Sequence, residues 1–432
     1  MVVICLICEK KNFLILLSFY PDSYWEWQKI KCMLKSTFFK INLIVLLLII
    51  GNKTMAQSTE NAVLPDNLKW SERTALTILN TYPKASQIDG TKKPKWDYKM
   101  GLVLFAFEKL YQKTNDKKYF NYIKEYADEL IDAEGNITDY NIADYNIDSA
   151  NPGKLLFNLL DETKDNRYKK VIEQLRHQIE TQPRTASGGF WHKQIYPNQM
   201  WIDGLYMAEP FYTQYTVKYE NGKALDDIAR QFELVQNHLV DQKIGLVYQA
   251  WDESKEIAWA NPETGTSPTI WGRGIGWYMM ALVETLDYYP KSNPNYKKLA
   301  GYLNQMAKSA VAHKSASGLW YQVADKPDLK DNYLESSASA MIIYSLAKGA
   351  DKGYLSSAYK KIAQKSFDAY LAAFVKKDKN GEIIISNVSS SVGLGGKPFR
   401  DGTNEYYTNS KAKDNSSPAL AAFLLSAIEL KK

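Results

Sequence analysis

Cysteine is scarce in this 432-residue chain and confined to its start, where Cys5, Cys8 and Cys32 are all there are. Beyond residue 32 there is no thiol, which excludes a disulfide framework, a thiolate nucleophile and a cysteine metal site. Histidine is nearly as rare, four in all, and no two of them stand at metal-ligand spacing, so no metal site is expected. Charge of one sign is also missing. The formal +6 is carried mostly by residues 1–56, which hold seven lysines and three acids and leave 47 basic against 45 acidic side chains in the remainder. A near-neutral surface without a basic block argues against a nucleic-acid partner and leaves a neutral or mildly anionic small substrate open. Neither the apolar run near Phe13–Tyr20 nor the one at Ile41–Ile50 is long enough to span a bilayer.

The first 56 residues read instead as export information. Met33-Leu34-Lys35 opens a basic head, Ile41–Ile50 is a short apolar core, and Thr54-Met55-Ala56 forms a small-residue cleavage site before Gln57. This order predicts a signal peptide that begins at Met33 and is cut after Ala56. Residues 1–32 are then accounted for by a start codon assigned too early. The mature chain, residues 57–432, is expected to be one catalytic domain with no membrane segment, exported to a periplasm or beyond the cell; its oligomeric state is left open.

Hydrophobic residues make up 45% of the chain and charged ones 24%, ordinary values for a globular protein. Eleven Trp and 30 Tyr are less ordinary, and core packing and a sugar-binding surface are both consistent with them. From residue 66 onward apolar residues recur at helical spacing, broken by turns rich in Asn, Asp, Gly and Pro. The pattern predicts twelve helices, near 68–82, 96–112, 116–132, 152–163, 165–180, 204–219, 222–241, 273–289, 293–313, 334–349, 352–373 and 416–430. Asn151-Pro152 and Asn293-Pro294 each offer an N-cap followed by proline at the first helical position. Short strands are expected at Gly318–Val323 and Glu382–Ser386. Long connections at 183–203, 242–272, 314–333 and 374–415 suit functional loops. Twelve helices in six hairpins predict an all-α (α/α)6 barrel with those loops rimming one mouth.

Chemistry concentrates in three places. Trp201-Ile202-Asp203-Gly204-Leu205-Tyr206 sets one carboxylate among aromatic and apolar residues, with Trp191-His192 upstream and Trp271-Gly272-Arg273-Gly274-Ile275-Gly276-Trp277 downstream. Aromatic faces stack on sugar rings, and a carboxyl group partly removed from water keeps its proton near neutral pH. Asp203 is therefore a candidate proton donor, against the alternative that it merely caps a helix starting near Gly204. Asp148, also ahead of a helix, is either a turn residue or a second carboxylate for the same cleft. Arg273 offers its planar fork to a substrate carboxylate or to a protein acid. The glycines around it match neither the dinucleotide fingerprint nor the P-loop.

Taken together, these segments resemble the unsaturated rhamnogalacturonyl hydrolases of glycoside hydrolase family 105. Gly318-Leu319-Trp320-Tyr321-Gln322, Glu335-Ser336-Ser337-Ala338, and Gly393-Leu394-Gly395-Gly396 followed by Phe399-Arg400-Asp401-Gly402 extend the resemblance over most of residues 68–430. It implies an (α/α)6 barrel without metal or organic cofactor, acting on the Δ4,5-unsaturated uronic acid at the non-reducing end of lyase-generated oligosaccharides by hydrating its C4=C5 bond. It also implies Asp203 as general acid/base, Asp148 as a second active-site aspartate and His192 as a substrate-binding residue. Arg273, Trp271 and Trp277 would wall the unsaturated ring, with Trp96 and Tyr98 opposite. Gln249, in Gln249-Ala250-Trp251-Asp252, stands where many relatives carry His. An amide cannot take a proton at neutral pH. That departure opens an unsaturated glucuronyl substrate, as from ulvan, beside the galacturonyl one. A carbohydrate-binding barrel without catalysis is the alternative from outside the enzymes.

Overall fold

The computed structural model describes residues 63–410 and 412–432, with the backbone of 3–9 and 12–18. The expected signal peptide and its cleavage site lie outside the described residues. Residues 1–62 and 63–432 are two separate compact units. In the first, β1 (Val3–Glu9) and β2 (Asn12–Ser18) pair antiparallel, Val3 opposite Ser18.

The second unit carries twelve long helices and one short one. They are α1 (Trp70–Thr81), α2 (Tyr98–Thr114), α3 (Lys117–Leu130), α4 (Ala150–Thr163), α5 (Asn166–Thr181), α6 (Ile202–Tyr219) and α7 (Leu225–His238). They continue with α8 (Gly272–Tyr288), α9 (Pro294–Ala312), α10 (Ser336–Asp351), α11 (Ala358–Phe374), the five-residue α12 (Asn404–Thr408) and α13 (Ser417–Glu429). Helices α2, α4, α6, α8, α10 and α13 each pack on the next, and α13 returns to α2, closing a ring. Outside it, α3, α5, α7, α9 and α11 each cover the inner helix that precedes them. The sixth outer helix is α1, which packs on α13 from the other end of the chain, Ser71 N donating to Lys432 O at 3.2 Å. The fold is an (α/α)6 barrel whose sixth pair joins the first helix to the last.

Composition explains which helices go inside. In α8 every residue from Gly272 to Leu286 is buried, and in α10 every residue from Ser336 to Gly349, because both are mostly apolar or small all round, with Arg273, Glu284 and Lys348 the charged exceptions. Outer helices keep a single stripe: α3 buries Tyr119, Tyr122, Ile123 and Tyr126 and leaves its lysines outside. Asp116, Asp165 and Asn293 cap α3, α5 and α9 by accepting backbone N–H bonds. Asn151 does not cap α4. That helix begins at Ala150 behind a 3-10 turn, Ile147–Ser149, and the fully buried Asn151 donates instead to Tyr206 O across to α6.

Strands are few. β3 (Gln199–Trp201) pairs with β4 (Ala250–Asp252), β5 (Val375–Lys377) with β6 (Ile383–Ile385), and β7 (Val388–Ser389) with β8 (Ala412–Lys413). The strand expected at Gly318–Val323 is reduced to single bridges at Tyr321 and Val323, because each residue meets a different partner segment, at Leu334 and Trp271. Among the described residues no helix is long and apolar enough to cross a membrane.

Helices α8 and α10 approach closely at Gly276, where a methyl group would lie 2.6 Å from Met341 Cβ. Gly276→Ala is therefore expected to destabilise the barrel by about 1–3 kcal/mol, the usual cost of overpacking a filled core. Thermal unfolding should show a lower Tm, and an unchanged Tm would contradict the close approach.

Candidate active site

Five inner helices start at one mouth of the ring, and their first turns carry the candidate residues. Tyr98 opens α2, Asp148 sits in the turn before α4, Asp203 is in the first turn of α6, Arg273 in that of α8, and Glu335 caps α10. Helix α6 begins at Ile202, two residues earlier than a cap at Asp203 requires. Trp201 holds the cap position, and the Asp203 side chain is left to other work. The backbone there is pinned by the β3–β4 pairing, Trp201 opposite Ala250, and by Ile202 N donating to Gln249 O at 2.8 Å. The backbone of Gln249 is thereby fixed against the start of α6.

Asp203 Oδ1 is buried and has no hydrogen-bond partner among the described residues. Burial pushes its pKa above the ordinary aspartate value; His192 opposes this, Asp148 adds to it, and Lys193 opposes it more weakly. Asp148 behaves in the opposite way. Burial works against its charge, but Lys193 Nζ at 2.7 Å from Oδ2 and His192 Nε2 at 3.5 Å from Oδ1 outweigh it and hold its pKa below the ordinary value. One carboxyl of the pair is thus biased toward the acid and the other toward the anion, the division that acid-base chemistry requires. His192 is biased toward neutrality, chiefly by burial.

Aromatic rings frame the pair. His192 and Tyr196 both stack on Trp201, each with centroids 4.7 Å apart, and Arg400 Nη2 donates to Tyr196 Oη at 3.0 Å, tying the 391–403 loop to this wall. Trp271 is buried beside Tyr407, 6.2 Å between rings. Trp277 is only 2% exposed: it lies between Tyr98 (6.3 Å) and Tyr206 (5.0 Å), so it forms the floor beneath Tyr98 and not an open wall. Trp96 is likewise held in the packing, stacking on Tyr126 and donating to Ser149 O at 2.8 Å, which steadies the turn that carries Asp148.

Arg273 has a protein partner. Its Nε donates to Ser337 Oγ at 2.6 Å, and its Nη2 donates to Ser389 O at 2.8 Å and lies 3.4 Å from Glu335 Oε1. Glu335 is fully buried and also accepts from Ser337 N, Ala338 N and Ser389 N. The pair is well satisfied and locks the starts of α8 and α10 together.

Lys193, Tyr196, Tyr407 and the Glu335 partnership are not singled out as site features by residue pattern. Tyr407 would have been the hardest to find. It sits in α12 with a buried, unpartnered Oη, and burial, Tyr406 and Asp203 push its hydroxyl pKa well up. Unpartnered buried polar atoms gather at this mouth: Asp203 Oδ1, both amide atoms of Gln249, Trp259 Nε1, Trp271 Nε1 and Tyr407 Oη. Native proteins leave few such groups, so the cluster marks a place built for a polar ligand and its water. Among the described residues no group of three or more His, Cys, Asp or Glu side chains is arranged to hold a metal ion. The cleft of about 710 Å³ around His238, Asp241 and Trp251 contains none of the candidate site residues.

The family model for Glycosyl Hydrolase Family 88 matches residues 70–432, the whole barrel. A Clostridium acetobutylicum glycoside hydrolase from family 105 is 39% identical and superposes with a TM-score of 0.81, covering 84% of this chain and 99% of that one. This chain belongs to the family 88/105 glycoside hydrolases. The unsaturated rhamnogalacturonyl hydrolase YesR of Bacillus subtilis is 27% identical over 284 residues, 64% of this chain and 76% of that protein. An unsaturated glucuronyl hydrolase from Bacillus sp. GL1 shares the fold at 16% identity and a TM-score of 0.61, over 84% of this chain and 95% of that one.

The ion pair of Asp148 gives a direct test of the site's electrostatics. It contributes stability above the ordinary aspartate pKa that is lost as pH falls through the depressed one. In Lys193→Met, with that cation gone and burial unchanged, the Asp148 carboxyl should titrate about one pH unit or more higher, read by carbon-13 NMR of the aspartate carboxyls. An unmoved titration would show that Lys193 does not set it.

Proposed function

We propose that this glycoside hydrolase removes the Δ4,5-unsaturated uronic acid from the non-reducing end of lyase-generated oligosaccharides of the rhamnogalacturonan type. The observation that carries the reading is the pairing of a buried, unpartnered Asp203, biased toward the acid form, with an Asp148 that Lys193 at 2.7 Å biases toward the anion, at the foot of an aromatic mouth. A C4=C5 double bond next to the ring oxygen is an enol ether. In the proposed mechanism Asp203 gives its proton to C4, the π electrons form the new C–H bond, and positive charge develops at C5 and the ring oxygen. The adjacent Asp148 carboxylate stabilises that charge. Water adds at C5 and gives up a proton, restoring Asp203. The resulting hemiketal opens at the C5–O5 bond to a C5 ketone, its hydroxyl proton passing to O5; the hemiacetal left at C1 then collapses to an aldehyde, breaking the C1–O bond and passing that proton to the departing sugar's oxygen.

A uronate also carries a carboxylate of its own. Inner helices set the positive ends of their dipoles at this mouth, and Lys193 adds a cation there, so an anionic ring suits it better than a neutral one. The rhamnogalacturonan type is supported by the activity of the relative YesR. Gln249 favours a second reading, an unsaturated glucuronyl substrate, because its buried amide presents a donor and an acceptor where many relatives have an imidazole. The leader at residues 33–56 supports action after export, in a periplasm or outside the cell.

Hydration destroys the conjugated chromophore. The protein is expected to remove the ultraviolet absorbance of unsaturated galacturonyl-rhamnose, with Asp203→Asn about 10²–10⁴-fold slower, the usual worth of a positioned general acid. Unsaturated glucuronyl disaccharides assayed alongside decide between the two substrates. Binding without loss of absorbance on any of them would favour a barrel that holds sugar without hydrating it.

A further inference from the structure

Behind His192 the chain encloses a small cavity of about 10 Å³. Its apolar wall is Ile147, Phe190, Met200 and Leu205, and its polar side chains are those of His192, Glu209 and Gln231. The Gln231 amide is already committed: Oε1 accepts from Phe190 N at 3.0 Å, and Nε2 donates to Gly188 O at 3.0 Å. Two buried atoms are left without partners, His192 Nδ1 and Glu209 Oε2. A space of about one probe sphere with two or more polar neighbours is what a single structural water requires. The imidazole edge is held there by close packing. A methyl group on Gly204 would lie 3.1 Å from Nδ1, so the ring rests close against the first turn of α6 and a larger residue there would have to push it.

We propose that Glu209 is a positioning residue for His192: its carboxyl group bonds through one buried water to Nδ1 and keeps the imidazole proton on Nε2, where it faces Asp148. The inference rests on the reading of the Asp148–Asp203 mouth as the active site. Glu209 is 1% exposed in the middle of α6; burial and Asp227 push its pKa up toward the acid form, with Arg184 opposing. Around His192 burial favours the neutral ring, Asp148 and Asp203 oppose it, and Lys193 supports it. A neutral imidazole has one donor and one acceptor nitrogen, and a neutral carboxyl has one O–H. The chain of bonds then runs in one sense: Glu209 O–H to water, water to the Nδ1 lone pair, and Nε2–H toward Asp148 Oδ1 at 3.5 Å. This tautomer presents a donor to the catalytic mouth.

The test is the imidazole nitrogen spectrum of the ligand-free full chain labelled with ¹⁵N-histidine, the four histidines being assigned by replacing His177, His238 and His313 in turn with Asn. His192 is expected to show an unprotonated Nδ1 and a protonated Nε2 at neutral pH. Glu209→Gln, whose amide N–H takes over the donor role, should keep that signature and rescue kcat to within about threefold of wild type. Glu209→Met, similar in size but without a donor, should mix the tautomers and lower kcat about tenfold with KM little changed. A wild-type His192 protonated on Nδ1, or a folded Glu209→Met protein with the wild-type signature, would overturn the proposal. If Glu209→Met does not fold, the wild-type and Glu209→Gln spectra decide it. The nitrogen signature needs no substrate, so the proposal stands or falls separately from the substrate assignment.

Discussion

A carboxyl group in the first turn of a helix ordinarily ionises easily, because the unpaired N–H groups there stabilise its charge. Asp203 occupies such a turn in α6 and is nevertheless biased toward the acid form, since the loss of water around it outweighs the helix and the neighbouring imidazole. Everything else at the mouth serves that balance. Trp201, His192 and Tyr196 form one stacked wall, Tyr407 and Trp271 another, and Trp277 with Tyr98 the floor. Asp148 is drawn the other way by Lys193 and His192, so two chemically identical side chains are biased toward opposite protonation states through their neighbours alone.

The ring makes this convergence possible. Inner helices that all begin at the same end bring residues from positions 98, 148, 203, 273 and 335 together although they are spread over more than half the chain. The long connections then fold over the helix starts. Buried pairs hold them in register: Arg273 with Glu335 joins α8 to α10, and β3 with β4 fixes Gln249 against the start of α6. Removing one member of such a pair strands the other's charge, so Arg273 acts on the site through structure as much as through any contact with a ligand.

Much of the fold was legible because helical periodicity is local. All twelve helices fall where apolar spacing put them, and the chief slip, α11 starting at Ala358 and not near 352, reflects a turn through Gly353–Leu355 whose buried Tyr354 and Leu355 extend the pattern. The split pairing of α1 with α13 left no local trace, since it joins residues more than 300 positions apart. At the site, Asp203 and His192 stood out through their aromatic company, and Asp148 only through its place ahead of a helix and the family resemblance. The partner of Arg273, the roles of Lys193 and Tyr407, and the burial of Trp277 were not legible, because each depends on which distant segment packs against it. The Asp203 boundary was misplaced by one or two residues because Trp201, with no side-chain cap to offer, is an unusual residue at a helix start.

The most direct measurement is the protonation state of Asp203 itself in the ligand-free protein. Infrared difference spectra of wild type against Asp203→Asn, recorded across pH, isolate the stretch of a protonated carboxyl group. That band is expected to persist above a pH of about 3.9, where an ordinary aspartate is half ionised. A band that vanishes at or below that pH would show a solvated carboxylate at position 203 and would contradict the role given to it here.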